Sequence, residues 1–400
     1  MLHELWHNFT HNLFKPLLLF FYFGFLIPLL RVPFEFPQVI YQALTMYLLI
    51  AIGWQGGEEL AAIKPMNIGA IAGFMVLGFV LNFVIGAITY VALSWLSAMR
   101  RVDRAMVAGY YSSDSAGTFA TCVAVLTSLG LAFDAYMPVM LAVMELPGCL
   151  VALYMVARLR NRGMDPAGNM PDEPGYSAPA VVGAGSGTAT QRAYDQTLAA
   201  AGEREIASKT EEYLERWRGD DGGQRASKTA VLNEVLLNPG ICLLVGAICI
   251  GFVSGLQGQK VTHDDNAFFV SAFQGALCLF LLEMGMAASR KLKDLRTAGV
   301  AFILFGLLAP NVFATLGIIV AHGYAFYTHT DFRPGTYVLF AVLCGAASYI
   351  VVPAVQRLAI PEASPTVPLA ASLGLTFSYN VTVGIPLYIE IARLASWWGL

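Results

Sequence analysis

Asn67 to Ser97 reads NIGAIAGFMVLGFVLNFVIGAITYVALSWLS, a run without one charged side chain. A helix needs roughly twenty apolar residues to cross the hydrocarbon core of a bilayer, and this run exceeds that length. Its apolar residues occupy every helical face instead of one stripe, which suits burial in lipid and not the edge of a soluble core. The whole chain agrees, since 57% of its 400 residues are hydrophobic, 13% are charged and the mean hydropathy is +0.61. An average soluble domain carries about 25% charged residues. The bilayer is therefore the solvent.

Working outward from that run, ten candidate spans are readable at 13–30, 37–55, 67–97, 105–128, 135–157, 236–256, 267–287, 297–321, 335–356 and 366–389. Residues 158–234 interrupt them with different material. Its first half, with Ala178 to Thr190 rich in Gly, Ala and Ser, reads as flexible linker, whereas Thr197 to Trp217 in its second half reads as an exposed helix with i,i+4 charge pairs. If the connections alternate sides, Arg31, Arg100, Arg101, Arg104, Arg158, Arg160, Arg162, Arg290, Lys291, Lys293, Arg296 and Arg357 fall on one side. Only Lys15, Lys64, Lys260, Arg333 and Arg393 fall on the other. Basic residues concentrate on cytoplasmic loops, so this asymmetry predicts a cytoplasmic insert and extracytoplasmic termini in a cell inner (plasma) membrane. With no basic stretch before the first span and no small-residue cleavage site before Leu13, that span is expected to be retained.

The two halves echo one another. Leu48–Gly53 (LLIAIG) and Phe280–Gly285 (FLLEMG) are offset by 232 residues, and Ser115 and Ser348 by 233. Five spans per half invert the second copy relative to the first, an architecture common among secondary transporters. The expectation is an all-α polytopic membrane protein of ten transmembrane helices in two inverted five-helix repeats, with broken helices in spans four and nine. The repeats cover 1–157 and 235–400, separated by the cytoplasmic insert 158–234.

The broken helices are expected at Gly109-Tyr110-Tyr111-Ser112-Ser113-Asp114-Ser115-Ala116-Gly117-Thr118 and at Cys344-Gly345-Ala346-Ala347-Ser348-Tyr349-Ile350-Val351-Val352-Pro353. Ser, Asp and Gly compete with helical hydrogen bonding, and Pro353 lacks a backbone donor, which weakens the turn before it. Two half-helix N-termini aimed at one cavity offer free N–H groups and a positive dipole end to an anion, while unwound carbonyls and hydroxyls suit sodium. Small residues also serve simply to pack helices closely, but the matched pair of segments favours an ion site. Intramembrane acids add to it. Asp114 reads as a sodium ligand or a proton carrier; Glu145, before Pro147, reads as an ion ligand or as a brace for amides freed by a helix break. Asn380 and Thr382 place neutral oxygens in the tenth span, as cation ligands or as links to a neighbouring helix. Glu283 reads as an interfacial charge near Arg290.

Other classes are excluded or weak. The net charge of −3 supplies no basic face for a nucleic acid. The six cysteines lie in apolar runs without metal-like spacing, and no resident cofactor is indicated. His3, His7 and His11 recur at helical spacing but fit an interfacial helix better than a metal site. Every histidine is expected outside the membrane interior or at a span end (His263, His322, His329), which leaves a serine without a base, and neither H-E-x-x-H nor a P-loop lysine motif occurs.

The chain resembles the sodium-dependent bicarbonate transporter family over essentially all of its membrane part. The likeness is carried by Leu30-Arg31 with Phe34-Glu35-Phe36-Pro37, Tyr47–Gly53 with Gly56-Gly57, Tyr136-Met137-Pro138 with Met144-Glu145, and Phe280–Gly285. Further on it is carried by Ala347-Ser348-Tyr349-Ile350, Arg357–Ala363, Thr376-Phe377, Asn380 and Gly384–Tyr388. This resemblance implies a sodium/bicarbonate symporter with the anion between spans four and nine, assembled as a homo-oligomer, a trimer. It also implies a PII-like regulator as a partner on the cytoplasmic side. The chain departs from its relatives in span four, where Ser112, Asp114 and Gly117 replace a Gly and two Val. A carboxylate beside an anion then requires neutralisation by sodium or a proton.

The expected function is thus sodium-dependent symport of a small anion, bicarbonate first, by alternating access. Proton-coupled transport and a receptor or scaffold without transport are the alternatives. Anion-binding candidates are Ser113, Ser115, Ala116, Gly117, Thr118, Ala347, Ser348 and Tyr349; sodium-binding candidates are Asp114, Glu145, Asn380 and Thr382.

Overall fold

A computed structural model describes residues 16–61, 68–177, 239–258, 263, 265–292, 299–364 and 366–397. Among them the regular elements are all helical. Lipid offers no partner for a backbone N–H or C=O, so apolar runs must satisfy those groups internally, and a helix does so within one segment. In chain order the helices are α1 (Pro16–Leu29), α2 (Gln38–Ala61), α3 (Ile68–Leu96), α4 (Arg101–Tyr111), α5 (Ala116–Ser128) and α6 (Met137–Asn161). They continue with α7 (Pro239–Gln257), α8 (Phe273–Lys291), α9 (Val300–Thr328), α10 (Pro334–Gly345) and α11 (Val351–Ala359). The last stretch runs from α12 (Thr366–Leu369) through π-helical turns at Ala370–Phe377 and Asn380–Gly384 into α13 (Ile385–Trp397). Among the described residues, five helices are long and apolar enough to cross a membrane, at Val39–Glu58, Gly69–Leu96, Met137–Asn161, Ala267–Lys291 and Val300–Thr328. Leu18–Leu29, Cys242–Gln257 and Pro334–Gly345 are shorter and also apolar. The protein is a polytopic membrane protein.

Two helix pairs reveal how the halves meet. α8 lies along α1, and α7 lies along α2. Gly53 and Gly285, 232 residues apart, sit at equivalent places in these pairs. A methyl group on Gly53 would strike Leu244 O and Ala247 of α7, and one on Gly285 would strike Phe21 O and Phe25 N of α1. Small residues let membrane helices approach backbone to backbone, and here the same position does it in each half. α3 packs on α4 and α6, and α9 on α10 and α13, forming a second body against which α8 also rests through Ala370–Phe377.

Two expectations are corrected. The chain does not break at Pro147; α6 runs unbroken from Met137 to Asn161. In the turn before the proline, Asn82 Nδ2 donates to Met144 O at 2.7 Å and Ser113 Oγ to Glu145 O at 3.1 Å, tying this stretch of α6 to α3 and to residue 113. With the helix continuous there is no break for the Glu145 side chain to brace. Secondly, the start of the insert is folded. Residues 158–161 extend α6, and 162–177 pack on the ends of α4 and α6 with Met170, Asp165 and Asn169 buried. The Gly-rich linker at 178–190, the charged helix at 197–217 and His3, His7 and His11 lie outside the described residues.

The folded segment 162–177 is a strap. Glu173 accepts from the Arg101 N–H at 2.7 Å, capping α4, and from the Met170 N–H at 2.8 Å. Arg101 pairs with Asp172. Arg100 donates to Ala167 O at 2.7 Å and to Glu362 O at 3.3 Å, while Arg160 grips the Glu362 carboxylate at 2.9 and 2.7 Å. Asp103 accepts from the Ser364 N–H at 2.8 Å. The corner before α4, the end of α6 and the corner after α11 therefore meet on one face.

Candidate functional site

The helix formed by α4 and α5 is interrupted for local reasons. The Ser112 hydroxyl donates to Ala108 O at 2.7 Å, closing the last turn of α4. Ser115 is extended (φ −139°, ψ 112°), and its Oγ accepts from the Thr118 N–H at 3.2 Å, a cap that starts α5. The Thr118 hydroxyl also donates to Ser115 Oγ at 2.9 Å.

The second interruption repeats the design. α10 stops at Gly345, Ala346 is extended, and Ser348 Oγ accepts from the Val352 N–H at 3.3 Å at the head of α11. Pro353 stands inside the first turn of α11, where a missing donor does no harm, so it opens the second half-helix and does not loosen the turn before it. The two interruptions touch. The Ser348 N–H donates to Tyr110 O at 2.8 Å, and the Tyr110 hydroxyl donates to Gln356 Oε1 at 2.8 Å. N-termini of α5 and α11 and C-termini of α4 and α10 thus converge on one buried spot.

The candidate residues are distributed around it. Asp114 is fully buried, neither of its carboxylate oxygens has a hydrogen-bond partner, and its electrostatic neighbour is Glu145 of α6. Ser113 spends its hydroxyl on Glu145 O. Ala116, Gly117 and Thr118 form the first turn of α5, with Tyr349 beside Gly117. Ser372 Oγ lies 3.0 Å from Ala347 O and 2.6 Å from Ser348 O, donating to this pair of carbonyls. Asn380 is used twice, its Nδ2 donating to Gly345 O at 2.8 Å and its Oδ1 accepting from the Tyr388 hydroxyl at 2.7 Å. Thr382, in contrast, turns its hydroxyl to Ser378 O of its own helix at 2.7 Å. Glu283 is half-buried in α8, two turns before Arg290, with Oε2 unpartnered.

Ser372 and the link from the Tyr111 hydroxyl to Thr376 Oγ1 (2.6 Å) escaped the sequence reading. Their only trace is a small, polar run, Ala370-Ala371-Ser372, that builds a π-helical turn. Such turns re-aim side chains and recur at functional sites.

The surroundings are asymmetric. Beyond the C-terminal end of α5, a groove of about 670 Å³ is lined by Gln55, Thr127, Asp134, Tyr136, Asp331 and Arg333, among others. At the opposite end, the strap and the Arg160–Glu362 pair bind the corners together.

Buried half-helix ends, capped by serines and grouped around an uncompensated carboxylate, suit the handling of small ions. The family match agrees, covering residues 16–393. The chain belongs to the Na+-dependent bicarbonate transporter superfamily. It is a membrane transporter and not an enzyme. No curated protein matches the chain in sequence.

Proposed function

We propose that the chain is a sodium-driven symporter of bicarbonate working by alternating access, with ten spans in two inverted repeats (1–157 and 235–400) around a cytoplasmic insert (158–234). The reciprocal pairing of α1 with α8 and α2 with α7, and the repeated serine-capped interruption, support the inverted repeat. The meeting of Arg100, Arg160 and the strap on one face fits the basic cytoplasmic side, leaving both termini outside. A cysteine in place of exposed Ser177, labelled by an impermeant reagent from outside intact cells, would overturn that orientation.

In this reading the anion lies at the N-terminus of α5, against Ser115 to Thr118, and opposite Ala347 to Tyr349. The coupling cation takes Asp114, with Glu145 as its second carboxylate and break carbonyls as further hard oxygen donors. Asn380 supports the site by holding the end of α10, and Thr382 stands aside from it. A homo-oligomer and a cytoplasmic PII-like regulator belong to the same reading, resting on family resemblance.

One observation carries the assignment of the cation: Asp114 is a buried carboxylate with two unpartnered oxygens. An isolated charge in the membrane interior is costly, and a bound cation is the simplest compensation. A proton would serve as well, which makes proton coupling the second reading. Initial bicarbonate uptake into proteoliposomes, across a sodium series at two pH values, separates them. Sodium dependence at both pH values, lost in Asp114→Asn, supports sodium; a pH dependence that vanishes in Asp114→Asn without a sodium requirement supports the proton.

A further inference from the structure

After α12 the chain runs as a π-helical turn from Ala370 to Phe377, and two fully buried hydroxyls, those of Ser372 and Thr376, leave it for the two helix interruptions. Ser372 sits beneath Ala347 O and Ser348 O, at 3.0 and 2.6 Å, and so holds the second interruption. Thr376 reaches the first through Tyr111, the last residue of α4. Pro310 stands inside α9 and has no N–H to give the carbonyl four residues before it, which is that of Gly306. The Thr376 hydroxyl donates to that carbonyl at 3.0 Å. Its only proton is then committed, so in the 2.6 Å contact with Tyr111 the phenol is the donor. A directed chain runs from Tyr111 through Thr376 to Gly306.

These links close a triangle. Tyr110, beside Tyr111, accepts from the Ser348 N–H at 2.8 Å and gives its hydroxyl to Gln356 at 2.8 Å, which ties the first interruption directly to the second. The π-helical turn ties each of them again, and three elements joined pairwise cannot shift singly. Its own seat is tight. The Tyr111 ring meets Phe305 and Phe313 of α9 edge-on, with centroids 5.2 and 6.5 Å apart. A methyl group on Gly306 would stand 2.9 Å from Leu375 of the turn and 3.5 Å from the Tyr111 hydroxyl. Phe377 lies edge-on to Tyr349 at 5.3 Å and to Phe21 of α1 at 6.0 Å. Asp114 follows Tyr111 by three residues, across a stretch that has left the helix. Where α4 ends therefore decides where that carboxylate stands.

We propose that the π-helical turn at Ala370–Phe377 is the positioning element of the cation site, with Thr376 acting through Tyr111 on Asp114 and Ser372 holding the facing interruption in step. The proposal rests on the assignment of the cation to Asp114 and adds residues that do not touch the ion. Losing the relay lets the end of α4 move, and the carboxylate moves with it. π-Helical turns interrupt regular hydrogen bonding and recur where side chains must be aimed, which is the use made of this one.

The test is sodium binding to the purified full-length protein by calorimetry, in wild type, Thr376→Val, Tyr111→Phe, the double variant and Thr376→Ser, with melting temperatures measured alongside. Valine keeps the branched shape of threonine without the hydroxyl, and phenylalanine keeps the ring between Phe305 and Phe313. Each single variant should weaken sodium binding by roughly three- to tenfold, the effect of one hydrogen bond. The double variant should lose no more than the larger single loss, because both changes remove the same contact. Thr376→Ser, which returns the hydroxyl, should bind sodium as the wild type does. Wild-type sodium affinity in either single variant, whatever its melting temperature, makes the relay a brace for the fold alone and overturns the proposal. Losses that add in the double variant, or that Thr376→Ser fails to restore, overturn it too. A wild type that binds no sodium defeats the cation assignment itself, and this proposal with it.

Discussion

The two helix interruptions share a design but differ in how their polar groups are used. At 346–350 the exposed backbone is spoken for: Asn380 holds Gly345 O, Ser372 covers Ala347 O and Ser348 O, and the Ser348 N–H is given to Tyr110 O. At 112–115 the hydroxyls of Ser112, Ser113 and Ser115 are occupied, but Asp114 keeps two buried oxygens without partners. A braced interruption costs the fold little, whereas an uncompensated one is retained at the expense of stability. The interruption at 346–350 is thus the better braced of the two, and the one at 112–115 carries the uncompensated carboxylate to which the proposed function assigns the cation.

The largest test of this contrast exchanges charge for function. Asp114→Asn removes the unpaired charge, so folding should be unharmed or improved, since losing a buried carboxylate without partners is seldom destabilising. Apparent sodium affinity should fall roughly ten- to a hundredfold, as expected for a charged contact worth about 1.5–3 kcal/mol. Thermal unfolding in detergent, alongside uptake over a sodium series, measures both. Full sodium dependence with a lowered melting temperature would invert the contrast.

The mirror experiment is Asn380→Ala, which strands Gly345 O and the Tyr388 hydroxyl. Each orphan costs about 1–3 kcal/mol. A marked fall in melting temperature is expected, with sodium affinity within a fewfold of wild type in the protein that folds. A selective loss of sodium affinity at unchanged stability would return Asn380 to the cation ligands.

Both interruptions were legible in the sequence because their cause is local. Ser, Gly and Asp at membrane depth have no other use for their hydrogen-bonding groups, and the offset of 233 residues between Ser115 and Ser348 flagged the repetition. The apolar runs set the helices in the same way. What stayed hidden depends on distant partners. Pro147 breaks nothing in α6, and the Met144 carbonyl just before it takes a donor from Asn82, 62 residues away. Ser372 looks like any small membrane residue until the fold sets it beneath two carbonyls. The strap at 162–177 was hidden for the opposite reason, since its turns are held by side-chain caps that leave no hydrophobic period to read.

Smaller effects are expected at the caps. Ser115→Ala and Ser348→Ala each remove a side-chain acceptor from a half-helix N-terminus, a loss of about 0.5–2 kcal/mol. If both half-helices face the anion, each variant should lower its affinity by roughly three- to thirtyfold with membrane insertion intact. Should only Ser115→Ala do so, the anion contacts α5 alone and α11 belongs wholly to the scaffold. Equal, unchanged affinity in both would remove the interruptions from the anion site.

The smallest effect tests the strap, whose turn at 165–169 is organised by Asp165. Its Oδ1 accepts from the Asn169 N–H at 2.7 Å and its Oδ2 from the Ser177 N–H at 2.9 Å. Burial alone would push this carboxyl up, but the amides of Ser177 and Asn169 outweigh it and hold the carboxyl below its usual range. A depressed value means that the folded strap favours the carboxylate. That contribution is complete above the ordinary aspartate value of about 3.9 and is lost as pH falls through the lower folded value. The strap should therefore be insensitive to pH from neutrality down to about pH 5, and should loosen only in stronger acid. Asp165→Ala removes the acceptor at every pH. One or two hydrogen bonds of about 1 kcal/mol each predict roughly five- to thirtyfold faster local opening, read as hydrogen exchange across 162–177 at neutral pH after correction for intrinsic rates. Protection equal to wild type in Asp165→Ala would show that Met170, Glu173 and the arginine contacts hold the strap without its central turn.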